Sequence, residues 1–369
     1  MKTDSILTDR QTKRQTFLGV IIPVYNATKY LEDAVESVLR QPNKDLVLVI
    51  VNDGSTDSSA EIAERIADRD ERVILLNQDN QGVSAARNNG IEYCIEANVK
   101  YIAFLDADDM WAKDFYTTDL MQQMVVEQYD AYHFTWYTAN ESMTRGRKFV
   151  SERNVVYPAK NARFGSHFCS YLYRAELFCQ HQIRFPVGIR AQEDETFRYI
   201  FMTLAVDVKA VDIPIFAYRS NNSSVCHTKF DATSRYFQDV IPAWKWAVSE
   251  LKRLSATTGS VQQADMDGCL TMCKTFLSEY IETAAQQGIS VKSIKSQLES
   301  SEYTKLYENN SVWVDEFSMK RWNRFQNETL QFWVKCRTKG IVLNLLKRAR
   351  NLPFVQKNRY PINHLQNIF

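Results

Sequence analysis

Three short apolar runs, 17–22 (FLGVII), 46–51 (LVLVIV) and 101–105 (YIAFL), each stop abruptly in polar residues, and helical spacing fills the stretches between them. Runs this short, apolar at successive positions and rich in β-branched residues, suit strands covered on both faces, the environment of a parallel sheet. Parallel strands need long return connections, and the intervening segments supply them. Leu31, Ala34, Val35 and Val38 recur at helical spacing after the first run, and Ala60, Ala63, Ile66 and Ala67 after the second. A further strand is predicted over 73–76 and a helix over 83–96. This alternation predicts an α/β fold with an open, mostly parallel sheet and helices on both faces. Ligands of such sheets bind in the crevice outside the carboxyl ends of the strands, where the polar clusters of this chain fall.

The first cluster is Pro23, Val24, Tyr25 and Asn26; Pro23 lacks a backbone donor and is expected to stop the strand where a ligand can approach the chain. The second, 52–57 (NDGSTD), has Gly54 for a tight turn and Ser55 to Asp57 to cap the next helix. The third holds Asp106, Asp108 and Asp109, three carboxylates within four positions. Close like charges at the rim of a core are tolerable when a cation or a set of donors shares them. Asp106 and Asp108 offer hard oxygens suited to Mn²⁺ or Mg²⁺, with a substrate diphosphate filling the open positions. The alternative is an acidic turn in which Asp109 caps the following segment.

If the clusters converge, the first two can hold a nucleobase and ribose, with Asp53 accepting the imide N–H of a uracil, and the third receives the diphosphate. Arg87 is expected either to brace the ribose or phosphate or to pair with a carboxylate at the sheet edge. A hydroxyl attacking an anomeric carbon must lose a proton, and Asp194, with Glu193 orienting a neighbour, suits the base. The alternative is that 193–195 (EDE) only favours a helix N-terminus electrostatically.

Other classes fit poorly. There is no Gly-X-Gly-X-X-Gly after the first strand and no Gly-X-X-X-X-Gly-Lys-Ser/Thr, so dinucleotide and P-loop sites are not expected. Lys plus Arg (45) and Asp plus Glu (44) leave a formal net charge of +1, which excludes nucleic-acid binding driven by bulk charge. The polar N-terminus does not read as a secretory signal and no apolar run reaches membrane-spanning length, so a cytoplasmic place of action is expected. The 7 cysteines are dispersed, and read as reduced small hydrophobes.

Beyond residue 110 the pattern loosens. A helix is predicted within 114–129, an aromatic strand over 131–137, a basic excursion or flap over 145–163, and apolar periodicity again over 168–178. Asp194 is expected to open a helix with Phe197, Ile200, Phe201 and Leu204 inward, before two extended segments, 206–211 and 213–218, broken by Pro214. The predicted divisions are a polar extension (1–16), an α/β domain (17–227, with a nucleotide half to 110 and an acceptor half after it) and a C-terminal helical module (228–369). In that module Ile341, Leu345, Ala349 and Leu352 make an apolar stripe beside Lys347, Arg348 and Arg350. Residues 335–352 are therefore expected to contact an anionic membrane peripherally, or to pack on the protein's own body or a second subunit as a homo-oligomer.

Residues 17 to about 225 resemble glycosyltransferase family 2, through 21–26 (IIPVYN), 51–57 (VNDGSTD), 82–88 (GVSAARN) and 105–109 (LDADD). The resemblance implies the GT-A fold, a Rossmann-like open sheet, and use of a nucleotide-sugar with inversion at the anomeric carbon. It puts Asp53 on uracil, Asp106 near the ribose, Asp108 on a divalent metal and Asp194, beside Glu193, as the base. It also suggests Arg219 against the departing UDP, and His227 as a metal ligand or a surface histidine. Asn52 stands where many relatives have aspartate, so the carboxylate role rests on Asp53. The expected function is metal-dependent transfer from a UDP-sugar to a saccharide or lipid-linked saccharide in capsule, O-antigen or lipooligosaccharide synthesis. A sugar nucleotidyltransferase would want a glycine-rich basic loop in place of 23–27. A non-catalytic glycan-binding or assembly protein would be favoured by loss of Asp108 or Asp194, and both are present.

Overall fold

The computed structural model describes residues 16–144, 146–149, 155–163, 167–220 and 235–269, with Met272 and Ile289. His227 and residues 335–352 lie outside them, so the expectations for these are carried by sequence alone.

The strands β1 (Leu18–Val24), β2 (Leu46–Asp53), β3 (Val73–Gln78) and β4 (Tyr101–Phe104) form a parallel block in the spatial order β3-β2-β1-β4. The helices α1 (Leu31–Leu39), α2 (Ser59–Ala67) and α3 (Val83–Glu96) return the chain. The chain steps outward from β1 to β3 and then comes back to lay β4 on the other side of β1. That reversal opens a crevice at the carboxyl ends of β1 and β4, as it does in doubly wound sheets generally.

Pro23 does not end its strand. The last β1–β4 register pair is Ile21 with Phe104, and Leu105 N–H still donates to Ile21 O (3.0 Å), whereas pairing with β2 runs on to Val24 opposite Asn52. Alternate residues of a strand turn their backbone groups to the same side, so the donor missing at Pro23 falls where β4 has already left.

α3 sits unusually close to β1. A Cβ on Gly90 would lie 2.5 Å from Ile21 Cγ2, and one on Gly19 would lie 2.6 Å from Cys94 Sγ. Bare Cα–H groups on both elements permit this approach, and it fixes where Arg87, one turn earlier on α3, emerges.

The second half extends the same sheet with β5 (Met110–Trp111), β6 (Ala131–Asn140), β9 (Tyr171–Arg174) and β10 (Asp207–Ser220), in the order β4-β9-β6-β10-β5. β9 is antiparallel to β4 and β6, and β10 is parallel to β6. The helices here are α4 (Thr118–Glu127), α5 (Ala175–His181) and α6 (Glu193–Leu204). In its described part the basic stretch 145–163 is built into the sheet, as β7 (Gly146–Phe149) on β6 and β8 (Val156–Pro158) on β10. The two extended segments around Pro214 are one strand, β10, whose register slips between Val211 and Phe216 to accommodate the proline.

The last long element among the described residues, α7 (Arg235–Thr258), packs on α6. Trp244 meets Tyr199 edge-on at 5.6 Å, Asp239 accepts the Arg190 N–H (3.0 Å), and Val240, Ala247, Leu251 and Leu254 are buried in the same core as the sheet. Among the described residues no helix is long and apolar enough to cross a membrane.

Candidate active site

The loops after β1 and β2 are joined by side chains. Asn26, in the left-handed region at φ 51°, donates its N–H to Ser55 Oγ (3.1 Å) and accepts from Thr56 N (2.8 Å). Pro23 and Val24 are buried, leaving half-exposed Tyr25 on the rim. Asn52 accepts from Ser55 N and donates to Asn77. Buried Asp53 accepts from Gln78 Nε2 (2.7 Å), Gln81 N (2.8 Å) and Gly82 N (2.8 Å). Three acceptor positions of this carboxylate are thus spent on the loop that leads into α3, and a carboxylate offers about four.

The two carboxylate groups of the site meet at Arg87. This side chain, only 4% exposed, donates from Nη2 to Asp106 Oδ1 (2.8 Å) and from Nη1 to Glu193 Oε1 (3.0 Å), a residue 106 positions away. Of the alternatives for Arg87, the structure has the carboxylate pairing rather than a group free to brace a ribose. Phe168 and Phe185 lie beneath its guanidinium at 4.6 and 5.2 Å. Phe185 is pinned in turn by Asn88, which accepts from its N–H (2.8 Å) and donates to its carbonyl (3.0 Å). Burial opposes the charge on Arg87, but Asp106 and Glu193 more than compensate and its pKa is raised.

Electrostatics divide the acidic residues. Burial, reinforced by Asp194, pushes Glu193 up to about 7 in spite of Arg87. Asp194, in the first turn of α6, is part-buried and accepts the N–H of Glu195 (2.8 Å). Asp109 is fully buried, and burial, then Asp108 and Asp106, raise its pKa well above the carboxylate range. One of its oxygens accepts Arg219 N–H (2.7 Å) and the other has no hydrogen-bond partner among the described residues. Asp109 therefore anchors β10 instead of capping the segment after it.

Arg219 is also placed differently from the expectation of a group facing a departing nucleotide. Its buried guanidinium donates to the carbonyls of Asp108 (2.7 Å) and Glu141 (2.7 Å), stacks 4.6 Å from the Tyr30 ring, and has Asp33 at 3.6 Å. It braces the Asp106–Asp109 turn from behind. Tyr30 and Lys29 both donate to Glu141, tying the loop after β1 to the end of β6.

Among the described residues no three His, Cys, Asp or Glu side chains converge as a complete metal shell. Mn²⁺ or Mg²⁺ held with a phosphate ester needs only one or two protein carboxylates. Asp106 and Asp108 fit that requirement by the chemistry of their hard oxygens, and their charges, after burial, are what raise the pKa of Asp109 beside them. Phe168 and Phe185 lie at Arg87, and the His167 ring lies 5.3 Å from that of Phe168. No motif marks them, since only the meeting of α3, α6 and the 167–170 turn brings them together.

A parallel block with carboxylates at its strand ends, continued by a mixed sheet, is the GT-A architecture. The Staphylococcus aureus protein TarS, residues 1–349, has this fold with a TM-score of 0.52 over 79% of this chain and 88% of its own, at 16% identity. Residues 19–178 match the family model described as "Glycosyl transferase family 2". The uncharacterized glycosyltransferase EpsJ of Bacillus subtilis is 32% identical over 223 residues, 56% of this chain and 62% of EpsJ. Glycosyltransferase GlyG of Streptococcus pneumoniae is 29% identical over 63% of this chain and 80% of its own. The putative teichuronic acid biosynthesis glycosyltransferase TuaG of Bacillus subtilis is 38% identical over 34% and 49% respectively. The chain thus spans less than two thirds of EpsJ and about half of TuaG.

Proposed function

We propose that this protein is an inverting, metal-dependent glycosyltransferase that moves a sugar from a UDP-sugar to a saccharide or lipid-linked saccharide during surface-glycan assembly. The observation that carries this reading is the Arg87 bridge, which joins the nucleotide-side Asp106 to the Glu193-Asp194 turn of α6 in one crevice. The backbone of 23–26, Tyr25 and Asp53 offer a nucleoside rim, and Asp106 faces the ribose. Asp108, with Asp106, would hold Mn²⁺ or Mg²⁺. When bound, the ion supplies charge stabilisation to the leaving UDP. Asp194 takes the proton of the acceptor hydroxyl as the new C–O bond forms, and a single displacement inverts the anomeric carbon. Glu193, held by Arg87, keeps the turn that carries Asp194 fixed against the donor side. Two similar proteins support donor and setting: TarS has been solved in complex with UDP-GlcNAc, and TuaG is described as a putative teichuronic acid biosynthesis glycosyltransferase. Action on the cytoplasmic face, with residues 335–352 touching an anionic membrane, would bring the enzyme to a lipid-linked acceptor.

The test is UDP release from UDP-glucose, UDP-galactose and UDP-N-acetylglucosamine with Mn²⁺. Slow hydrolysis of one donor, lost in EDTA and regained with Mn²⁺, is expected. UDP-sugar binding with no turnover, even with added acceptors, would instead favour a glycan-binding scaffold.

A further inference from the structure

We infer that His167 presents its Nε2–H to a hydroxyl of the transferred sugar, in the space between Asp106 and Asp194. This rests on the glycosyltransferase reading and adds to it a residue that sets donor preference.

The ring is held on several sides. His167 heads the 3-10 turn Phe168–Ser170, its Nδ1 accepts the Cys169 N–H at 3.3 Å, and its carbonyl accepts both the N–H (2.9 Å) and the hydroxyl (2.6 Å) of Ser170. Tyr173 O–H holds the Phe168 carbonyl at 2.8 Å. The imidazole lies among the rings of Phe216, Phe168, Tyr218 and Trp136, with centroids 5.1 to 5.6 Å away.

That geometry selects a tautomer. A ring nitrogen that accepts a hydrogen bond carries no proton, so the neutral imidazole carries its proton on Nε2. Burial lowers the pKa and favours the neutral ring. His167 in this state is a donor at Nε2 and is not a metal ligand there.

Its place follows from its neighbours. Phe168, the next residue, has its ring 5.3 Å from the imidazole and 4.6 Å from the Arg87 guanidinium that grips Asp106 and Glu193, which sets His167 one ring away from the carboxylates. A sugar attached to a diphosphate at Asp106 and Asp108, and attacked by a hydroxyl at Asp194, must lie between these carboxylates. An uncharged donor on that wall can read a hydroxyl without placing a new cation beside the base. Sites built to bond a hydroxyl discriminate strongly against sugars that place it elsewhere.

Two substitutions separate this role from that of the cap. His167→Asn keeps an oxygen near the Nδ1 position, and asparagine is a good cap, but it removes the group at Nε2. His167→Gln reaches the Nε2 position with an amide and weakens the cap. UDP and the three UDP-sugars named above are titrated with Mn²⁺ against the parent and both variants, alongside turnover and Tm. For His167→Asn the expected result is unchanged UDP affinity and Tm, with affinity for the cognate UDP-sugar weakened roughly tenfold, the size of one hydrogen bond. His167→Gln should recover part of that loss. Parent-like UDP-sugar affinity and turnover in His167→Asn would overturn the inference and leave the glycosyltransferase reading standing. Equal loss of UDP and UDP-sugar affinity in both variants, with lowered Tm, would also overturn it by showing a purely structural turn. A parent that binds none of the nucleotides would overturn both.

Discussion

Arg87 is the residue on which the two sides of the site depend, because one buried guanidinium neutralises carboxylates from β4's end and from α6. Removing one member of a buried ion pair costs about 3–5 kcal/mol, since the remaining charges stay buried without a partner. Arg87→Ala is therefore expected to unfold at markedly lower urea, and Arg87→Lys to rescue little, as an ammonium cannot fork to both carboxylates while lying flat on Phe168. A Lys variant with parent-like stability and turnover would contradict this. Glu193 makes a pH prediction. Its folded pKa of about 7 lies above the ordinary 4.5, so the folded protein binds more protons than the unfolded chain between those values. Its contribution to stability is then fully present below about 4.5 and is lost as pH rises through about 7. Glu193→Gln should flatten the urea midpoint against pH across that window, and an unchanged slope would refute the assignment. Asp108→Ala should abolish turnover and weaken Mn²⁺-dependent UDP binding by calorimetry without changing the far-UV spectrum.

Among the elements, α3 is the one whose seating the site cannot spare. Gly90→Ala forces a methyl into 2.5 Å of Ile21, and overpacking of this kind costs about 1–3 kcal/mol. Tm and turnover should fall together, because the displaced helix carries Arg87; a stable variant with lost UDP binding would point to another cause. α3 is legible in the sequence, from about 83 to 96, as are the apolar cores of β1, β2 and β4 and the inward side of α6. These are regular patterns read from one segment at a time. What escaped depends on a second segment: Pro23 stays in its strand because β4 ends early, and Pro214 only bends β10. Arg219 turns inward because the carbonyls of Asp108 and Glu141 are there to receive it, and His167 matters through rings on β6 and β10. Asp53 was recognised as a strand-end carboxylate, but its partners Gln81 and Gly82 lie on a loop whose approach only the folded chain reveals.

At the scale of the whole molecule, the parallel block and the mixed block are one continuous sheet among the described residues, and Arg87 ties α6 to it. α7 supports that sheet from outside the crevice, through α6. Trp244→Ala should cost about 3–5 kcal/mol as a buried aromatic lost from the core, while UDP affinity in the folded protein stays unchanged. A large loss of affinity without loss of stability would mean that α7 touches the site. The central claim, that the crevice joined by Arg87 transfers a sugar with Asp194 as base, is tested most directly by Asp194→Asn. Single-turnover transfer from the cognate UDP-sugar is measured beside UDP-sugar affinity in the same preparation. The account predicts parent-like affinity with transfer slowed by about 10²- to 10⁴-fold, the usual consequence of losing a general base. Transfer at a near-parent rate would contradict it.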